Sequence, residues 1–335
     1  MDLEAKYLGL SLRSPLVASA SPLSQSIDGM RELADAGVGA VVMPSLFAER
    51  QEAERDEVSA ELSTEVVAEA QTYFPGYDPE GPQAQSVDYL RLLEQASSVL
   101  DVPVIASLNG ASLGEWVQFA RRMEDSGAAA VECCIYFVPG DVRMTGAEVE
   151  QRHVDIAAAV ADAVSIPVAV KLTPYFSSVG NLALKLADTG VAGLVMFNRF
   201  FQSEIDTEQV ALVPGVELSY SHDATLPYTW IAALRHHLPT LSLAGSSGVE
   251  TSDDVVKYLL AGADAVMTTS ALLRHGPGYA ATLLAGVEDW ASGKGYTSLA
   301  DFRGLLAVPE DAEANAFQRA NYVGGLEDAK VTYSQ

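Results

Sequence analysis

The chain has 335 residues, 49% hydrophobic and 19% charged, with 45 acidic against 20 basic side chains and a net charge of −25. Such acidity excludes a nucleic-acid binder, which sets clustered Lys and Arg against phosphates. No apolar run approaches the roughly 18–20 residues that cross a bilayer, and the opening MDLEAKYLGLSLRSP lacks the basic-then-apolar profile of a signal peptide, so the expectation is a soluble, cytoplasmic protein without a membrane partner.

In chain order, eight short apolar, β-branched runs read as strands: 15–19, 40–44, 103–108, 130–135, 167–172, 193–198, 240–245 and 265–269. Nearly continuous apolarity is expected of parallel strands buried on both faces. Helical patterns alternate with them near 26–36, 85–99, 112–126, 147–163, 178–189, 226–238, 252–261 and 277–290. The phrases AGVGAVVM, SGAAAVEC, TGVAGLVM and AGADAVMT recur; each closes a helix with Gly and passes at once into a strand. Eight such units predict an α/β fold, a TIM (β/α)8 barrel over about 12–290, within a single domain spanning 1–335. A doubly wound sheet is the competing fold, but the turn after the first strand is SASPLSQS where a GxGxxG turn would be expected.

Two connections break the rhythm, 47–84 after the second strand and 199–225 after the sixth. Both leave the strand ends at which barrel active sites form. The tail, about 295–330, reads as extra C-terminal helices packed outside the barrel. Cys133 and Cys134 are adjacent, and no CxxC pair exists for a metal. Nor do the histidines suggest a metal site: His236 and His237 are neighbours on one helix, His275 lies in a loop, and His153 reads as helical and exposed. His222, in the loop after the sixth strand, is placed to meet a substrate.

Leu241–Pro277, LSLAGSSGVETSDDVVKYLLAGADAVMTTSALLRHGP, reads as two successive strand–turn–helix units with small-residue turns. Turns of this kind at neighbouring strands aim backbone N–H groups at one phosphate. Ser247 and Gly248 mark the first turn, Thr269 and Ser270 the second. Lys171 is a lone lysine after an apolar strand, at the catalytic end of a barrel.

The string GVETSDDVVKYLLAGADAVMTTSALLRHGP, followed by GYTSLADFRG and preceded by PVAVKLTPYF, ASLNGAS and SPLVASAS, resembles the dihydroorotate dehydrogenases, and more closely the dihydroorotate-dehydrogenase-like branch, over nearly the whole chain. The resemblance implies an FMN-binding TIM barrel, with Ser247, Gly248, Thr269 and Ser270 on the FMN phosphate. It also implies Lys171 beside the flavin N1/O2 edge, Asn198 near flavin and substrate, the backbone of Ser19 and Ala20 against the ring, and Ser107 and Asn109 facing the same pocket. The family's strand-four motif, ELNLSCPN, corresponds here to ECCIYFVP. Its first asparagine falls on Cys134 and its base on Phe137, which cannot accept a proton. Pro44 replaces the lysine after strand two, and TYFPGYDPEGP replaces the asparagine-rich substrate loop.

The expectation is therefore a flavin-dependent oxidoreductase of the CH–CH class that transfers hydride between FMN and a small substrate other than dihydroorotate, which would set it apart from pyrimidine biosynthesis. Cys134 and Tyr136 are the candidate proton-transfer groups beside Lys171; Tyr73, Tyr175 and Tyr220 are weaker ones. No NAD fingerprint and no iron–sulfur ligands are present, so onward electrons require a separate carrier protein, and the resemblance suggests a homodimer. Two other readings stand beside this one: an FMN-binding accessory or electron-transfer protein without its own substrate, and a barrel that has lost flavin and binds another phosphate ligand.

Overall fold

A computed structural model describes residues 1–47, 86–110, 113–135, 142–199, 203–215, 217–312 and 314–334. In chain order the strands are β1 (Ala5–Tyr7), β2 (Leu10–Leu12), β3 (Leu16–Ala18), β4 (Ala40–Phe47), β5 (Val104–Asn109), β6 (Ala130–Cys134), β7 (Val168–Leu172), β8 (Gly193–Met196), β9 (Ser203–Asp206), β10 (Ala211–Pro214), β11 (Ser242–Ser246) and β12 (Ala265–Thr268). Eight of them close a parallel barrel in the order β11-β12-β3-β4-β5-β6-β7-β8. These are the eight expected strands, most shorter by a residue or two, and the TIM-barrel expectation is met.

A helix follows every barrel strand: α1 (Ile27–Asp35), α2 (Ser86–Val99), α3 (Leu113–Asp125), α4 (Gly146–Ala163), α5 (Val179–Ala187), α6 (Thr225–Leu234) and α7 (Ser252–Ala261). After β12 come the short α8 (Ser270–His275) and α9 (Tyr279–Gly293), and then α10 (Ala314–Tyr333). The glycine of each recurring phrase sits in the left-handed region, with φ of 99° at Gly37, 88° at Gly127, 88° at Gly190 and 108° at Gly262. An L side chain there costs about 1–2 kcal/mol, which explains why the repeat keeps Gly at every helix end. Thr145 and Thr251 open α4 and α7 with capping boxes to Glu148 and Asp254.

The β1–β2 hairpin closes the N-terminal mouth of the barrel. Tyr7 and Leu8 are buried, and the Leu8 N–H donates to Ser242 Oγ at 2.9 Å. A Cβ on Gly193 would lie 2.6 Å from Leu8 Cδ2, so Gly at that strand position admits the plug. At the other mouth, Pro44 lacks the N–H a ladder needs, and the β4–β5 register shifts between Val42 and Ser45. Beyond the shift Ser45 stands opposite Ser107, their hydroxyls 2.7 Å apart.

Three expectations are corrected. The connection after β8 contains an antiparallel hairpin, β9–β10, whose turn is tied by Asp206 Oδ1 accepting from the N–H groups of Glu208 and Gln209. The GYTSLADFRGLLA segment packs on the barrel's outer helices as expected, through Gly304 N–H to Leu259 O and Leu306 N–H to Leu260 O, but forms a single 3-10 turn, Leu299–Asp301, in place of a helix. From Arg319 to Ser334 every residue but Ala329 is exposed, so that length of α10 lacks the expected packing. The connection of 47–84 lies outside the described residues after Phe47.

Candidate active site

Alternation along β6 and β7 decides which side chains enter the barrel. Glu132 is paired in register with Ser107 on one side and Ala169 on the other, and Cys134 stands opposite Lys171 one layer higher. Lys171 is 6% exposed and Glu132 is 1% exposed. Lys171 Nζ donates to Ser19 Oγ at 3.1 Å and to Glu132 Oε1 at 3.3 Å. Ser19, just beyond β3, gives its N–H to Thr268 O on β12. One buried cation is thus held by groups from the first, fourth and fifth barrel strands in chain order.

Around this centre the predicted residues converge. Asn198, just beyond β8, donates through Nδ2 to Cys134 Sγ at 3.3 Å. Ser107 and Asn109, at the end of β5, are buried, while Ala20 and Asn198 are half-buried. Burial pushes the Cys134 thiol up to about 11; the Glu132 carboxylate adds to this, while Lys171 and a hydrogen bond with Ser45 pull the other way. At that value the thiol is protonated at neutral pH, which suits Cys134 better to the donor side of proton transfer than to the acceptor side. Tyr136, Phe137 and Tyr73 lie outside the described residues.

The two phosphate-type turns stand side by side, since β11 and β12 are neighbours and Thr268 Oγ1 bonds Val249 O at 3.0 Å. Their side chains are already engaged. Ser247 Oγ donates to Phe197 O at 3.0 Å, Thr269 Oγ1 to Ser19 O at 3.1 Å, and Ser270 Oγ accepts from the N–H and hydroxyl of Ser219. What remains is backbone: the N–H groups of Ser247, Gly248 and Thr269 have no acceptor among the described residues. Ser247 and Gly248 both adopt positive φ, 81° and 68°, which makes the turn after β11 tight. A Cβ on Gly248 would fall 2.2 Å from Ala224 N. Beside the turns, Arg274 donates to Ser219 O at 2.8 Å, pairs with Glu250 and lies 4.0 Å above the Tyr220 ring.

Glu132 was missed from sequence, and four histidines were misplaced: His153, His236, His237 and His275. Glu132, the lone carboxylate in AVECC, was not singled out; its two-residue spacing from Cys134 and the matching place of Lys171 in VAVKL were the available signal. His153 is 1% exposed, with Nδ1 2.8 Å from Val149 O and its ring edge-on to Phe176; burial pushes its pKa down. His222, by contrast, is exposed beside Asp223. His236 and His237 lie in the turn after α6, and His275 ends α8 rather than sitting in a loop.

A closed parallel barrel whose strand C-termini gather a buried lysine, paired carboxylate and anion-ready turns has the layout of a TIM-barrel enzyme. The dihydroorotate dehydrogenase family model matches residues 2–290. The chain belongs to that family, whose members are flavin-dependent oxidoreductases of the CH–CH class. It is 25% identical over 324 residues to the NAD-dependent dihydropyrimidine dehydrogenase subunit PreA of Escherichia coli (strain K12), covering 91% of this chain and 76% of the relative. The catalytic subunit of dihydroorotate dehydrogenase B (NAD(+)) of Methanothermobacter thermautotrophicus is 25% identical over 314 residues, covering 90% and 98%. A dihydroorotate dehydrogenase A (fumarate) of Lactiplantibacillus plantarum is 28% identical over 302 residues, covering 89% and 96%.

Proposed function

We propose that the protein is an FMN-dependent oxidoreductase that moves hydride between the flavin and a small substrate other than dihydroorotate. The observation that carries this reading is the pairing of Lys171, buried at the end of β7 on Ser19 and Glu132, with two adjacent turns whose N–H groups lack acceptors among the described residues. The turns fit a phosphate, the lack of a side chain at Gly248 lets the first turn sit against Ala224, and Lys171 fits an anionic ring edge. When bound, FMN supplies hydride acceptance and donation at its ring. The chain's own residues do the rest. Ser247, Gly248 and Thr269 bind the phosphate end, Lys171 places positive charge, and Ser19 fixes the direction of Nζ. Cys134, protonated below about pH 11 and held by Asn198, is suited to give a proton to a substrate carbon and poorly suited to take one.

Against dihydroorotate stand Phe137 at the position of the family's base and Pro44 at that of its lysine. The partial relatives carry over as a proposal as well: PreA and the NAD(+)-type catalytic subunit are named as subunits, and a separate electron-carrier protein, with this chain as a cytoplasmic homodimer, is the arrangement proposed here. The purified protein, reconstituted with FMN, is expected to show the absorbance of oxidised flavin and to retain it under anaerobic dihydroorotate. A colourless protein that cannot be reconstituted would sink the FMN reading; rapid stoichiometric bleaching by dihydroorotate would sink the substrate reading.

A further inference from the structure

We infer that Glu132 is a positioning residue: its buried carboxylate fixes the Lys171 ammonium at the top of the barrel and supplies the counter-charge that solvent cannot. Three observations carry this. Glu132 is 1% exposed, and its Oε1 lies 3.3 Å from Lys171 Nζ. Its second oxygen, Oε2, is buried without a partner among the described residues, as is the hydroxyl of Tyr7 in the plug beneath it. The carboxylate thus turns its bonded oxygen up toward the lysine and presents the other to the barrel interior. Removing one partner of a buried pair leaves the other charge desolvated, and a desolvated lysine sheds its proton.

The surroundings leave that task to Glu132. The titratable groups that feel its charge are Tyr7 from β1, Tyr89 from α2, and Cys133 and Cys134 from β6. Burial pushes all four upward, so none carries charge at neutral pH. Lys171's other hydrogen-bond partner, Ser19 just beyond β3, and the nearby Ser45 from β4 are neutral hydroxyls. Among the described residues Glu132 is the one carboxylate buried in this part of the barrel, and it lies one layer beneath Lys171, the one buried lysine. This role in catalysis rests on the flavin reading above; the charge linkage itself does not.

The test follows the 13Cε resonance of Lys171 with pH in the 335-residue chain labelled at its six lysines, with and without added FMN, assigned by Lys171→Arg. In Glu132→Gln the proton affinity of Lys171 is expected to fall at least tenfold relative to the parent protein, and Glu132→Asp, which keeps the charge, to restore it. Superimposable titrations of parent and Glu132→Gln would overturn the inference. Should Glu132→Gln fail to fold, the double variant Glu132→Gln/Lys171→Met decides: its folding supports the pairing, and its failure assigns Glu132 a structural role independent of Lys171 and overturns it. A chain that never takes up FMN defeats the proposed function and leaves this readout standing. In a chain that does take up FMN, the flavin midpoint potential of Glu132→Gln is expected to fall more steeply with pH than that of the parent or Glu132→Asp, because loss of the Lys171 proton adds to the proton uptake that accompanies flavin reduction in all three.

Discussion

Replacing Gly248 with Ala tests the phosphate turn most directly. At φ of 68° the added Cβ costs about 1–2 kcal/mol for left-handed backbone. It would also fall 2.2 Å from Ala224 N and 2.8 Å from both Cα and Cβ of Ala224. Those are backbone and short side-chain atoms that cannot swing aside, so the turn itself must shift, at about 1–3 kcal/mol. The two costs together come to about 2–5 kcal/mol of stability. Moving the turn also withdraws the Gly248 N–H from a phosphate; losing one hydrogen bond to a charged group, about 1.5–3 kcal/mol, weakens FMN binding by about 10–100-fold. Gly9 supplies the control: its φ is 78° and nothing lies within 4 Å of the place a Cβ would take, so Gly9→Ala carries the backbone cost alone. Urea unfolding of both variants and FMN titration by fluorescence quenching measure the two effects. Equal urea midpoints for the two variants, with FMN affinity unchanged by Gly248→Ala, would refute the cradle argument.

Two further outcomes are expected. In a Cys133→Ala background, native Cys134 should react very slowly with a disulfide reagent at pH 8, because a thiol pushed up to about 11 has only about one part in a thousand thiolate there. The rate should climb about tenfold per pH unit toward pH 10, and fast labelling at pH 8 would show the thiol to be activated. Burial raises the Asp254 carboxyl, but hydrogen bonds from the Ser221 hydroxyl, the Thr251 N–H and hydroxyl and the Glu250 N–H outweigh it and hold its pKa below the usual value. Its stabilisation is therefore complete above about pH 4 and is lost as the pH falls further. Asp254→Asn should lower the urea midpoint at pH 7 by the equivalent of about 1–3 kcal/mol and by progressively less below pH 4; a difference independent of pH would contradict the assignment.

The barrel was legible because buried parallel strands are written as unbroken apolar runs and the helix ends as a repeated glycine phrase. Lys171 stood out as a charge at the end of such a run. Glu132 did not, since the overall apolarity of AVECC hides the informative property, which is the set of alternate side chains that share the inward face with Lys171. His153 failed for a similar reason: Val149, Ile156, Ala157 and Val160 share its buried helical face, and a helix stripe at spacings of three, four and seven would have placed it inside. The turns are recognisable from their small residues, yet their serine and threonine hydroxyls serve the protein's own backbone, a division of labour that depends on neighbours such as Phe197 and Ser219 distant in sequence. The β9–β10 hairpin escaped because its pairing is set by the Asp206 turn rather than by alternating polarity.

The ring of strands has one seam with a temporal meaning. β3 pairs with β12, joining Leu16 to Val266 and Ala18 to Thr268, so a ribosome must deliver almost the entire barrel before its first strand meets its last. Until then β3 and the newest strand present open hydrogen-bonding edges, the kind that recruit other chains. Completion of β12 converts an adhesive, half-wound sheet into a closed cylinder, and the same act brings Ser19 within reach of Thr269 and completes the floor on which Lys171 rests.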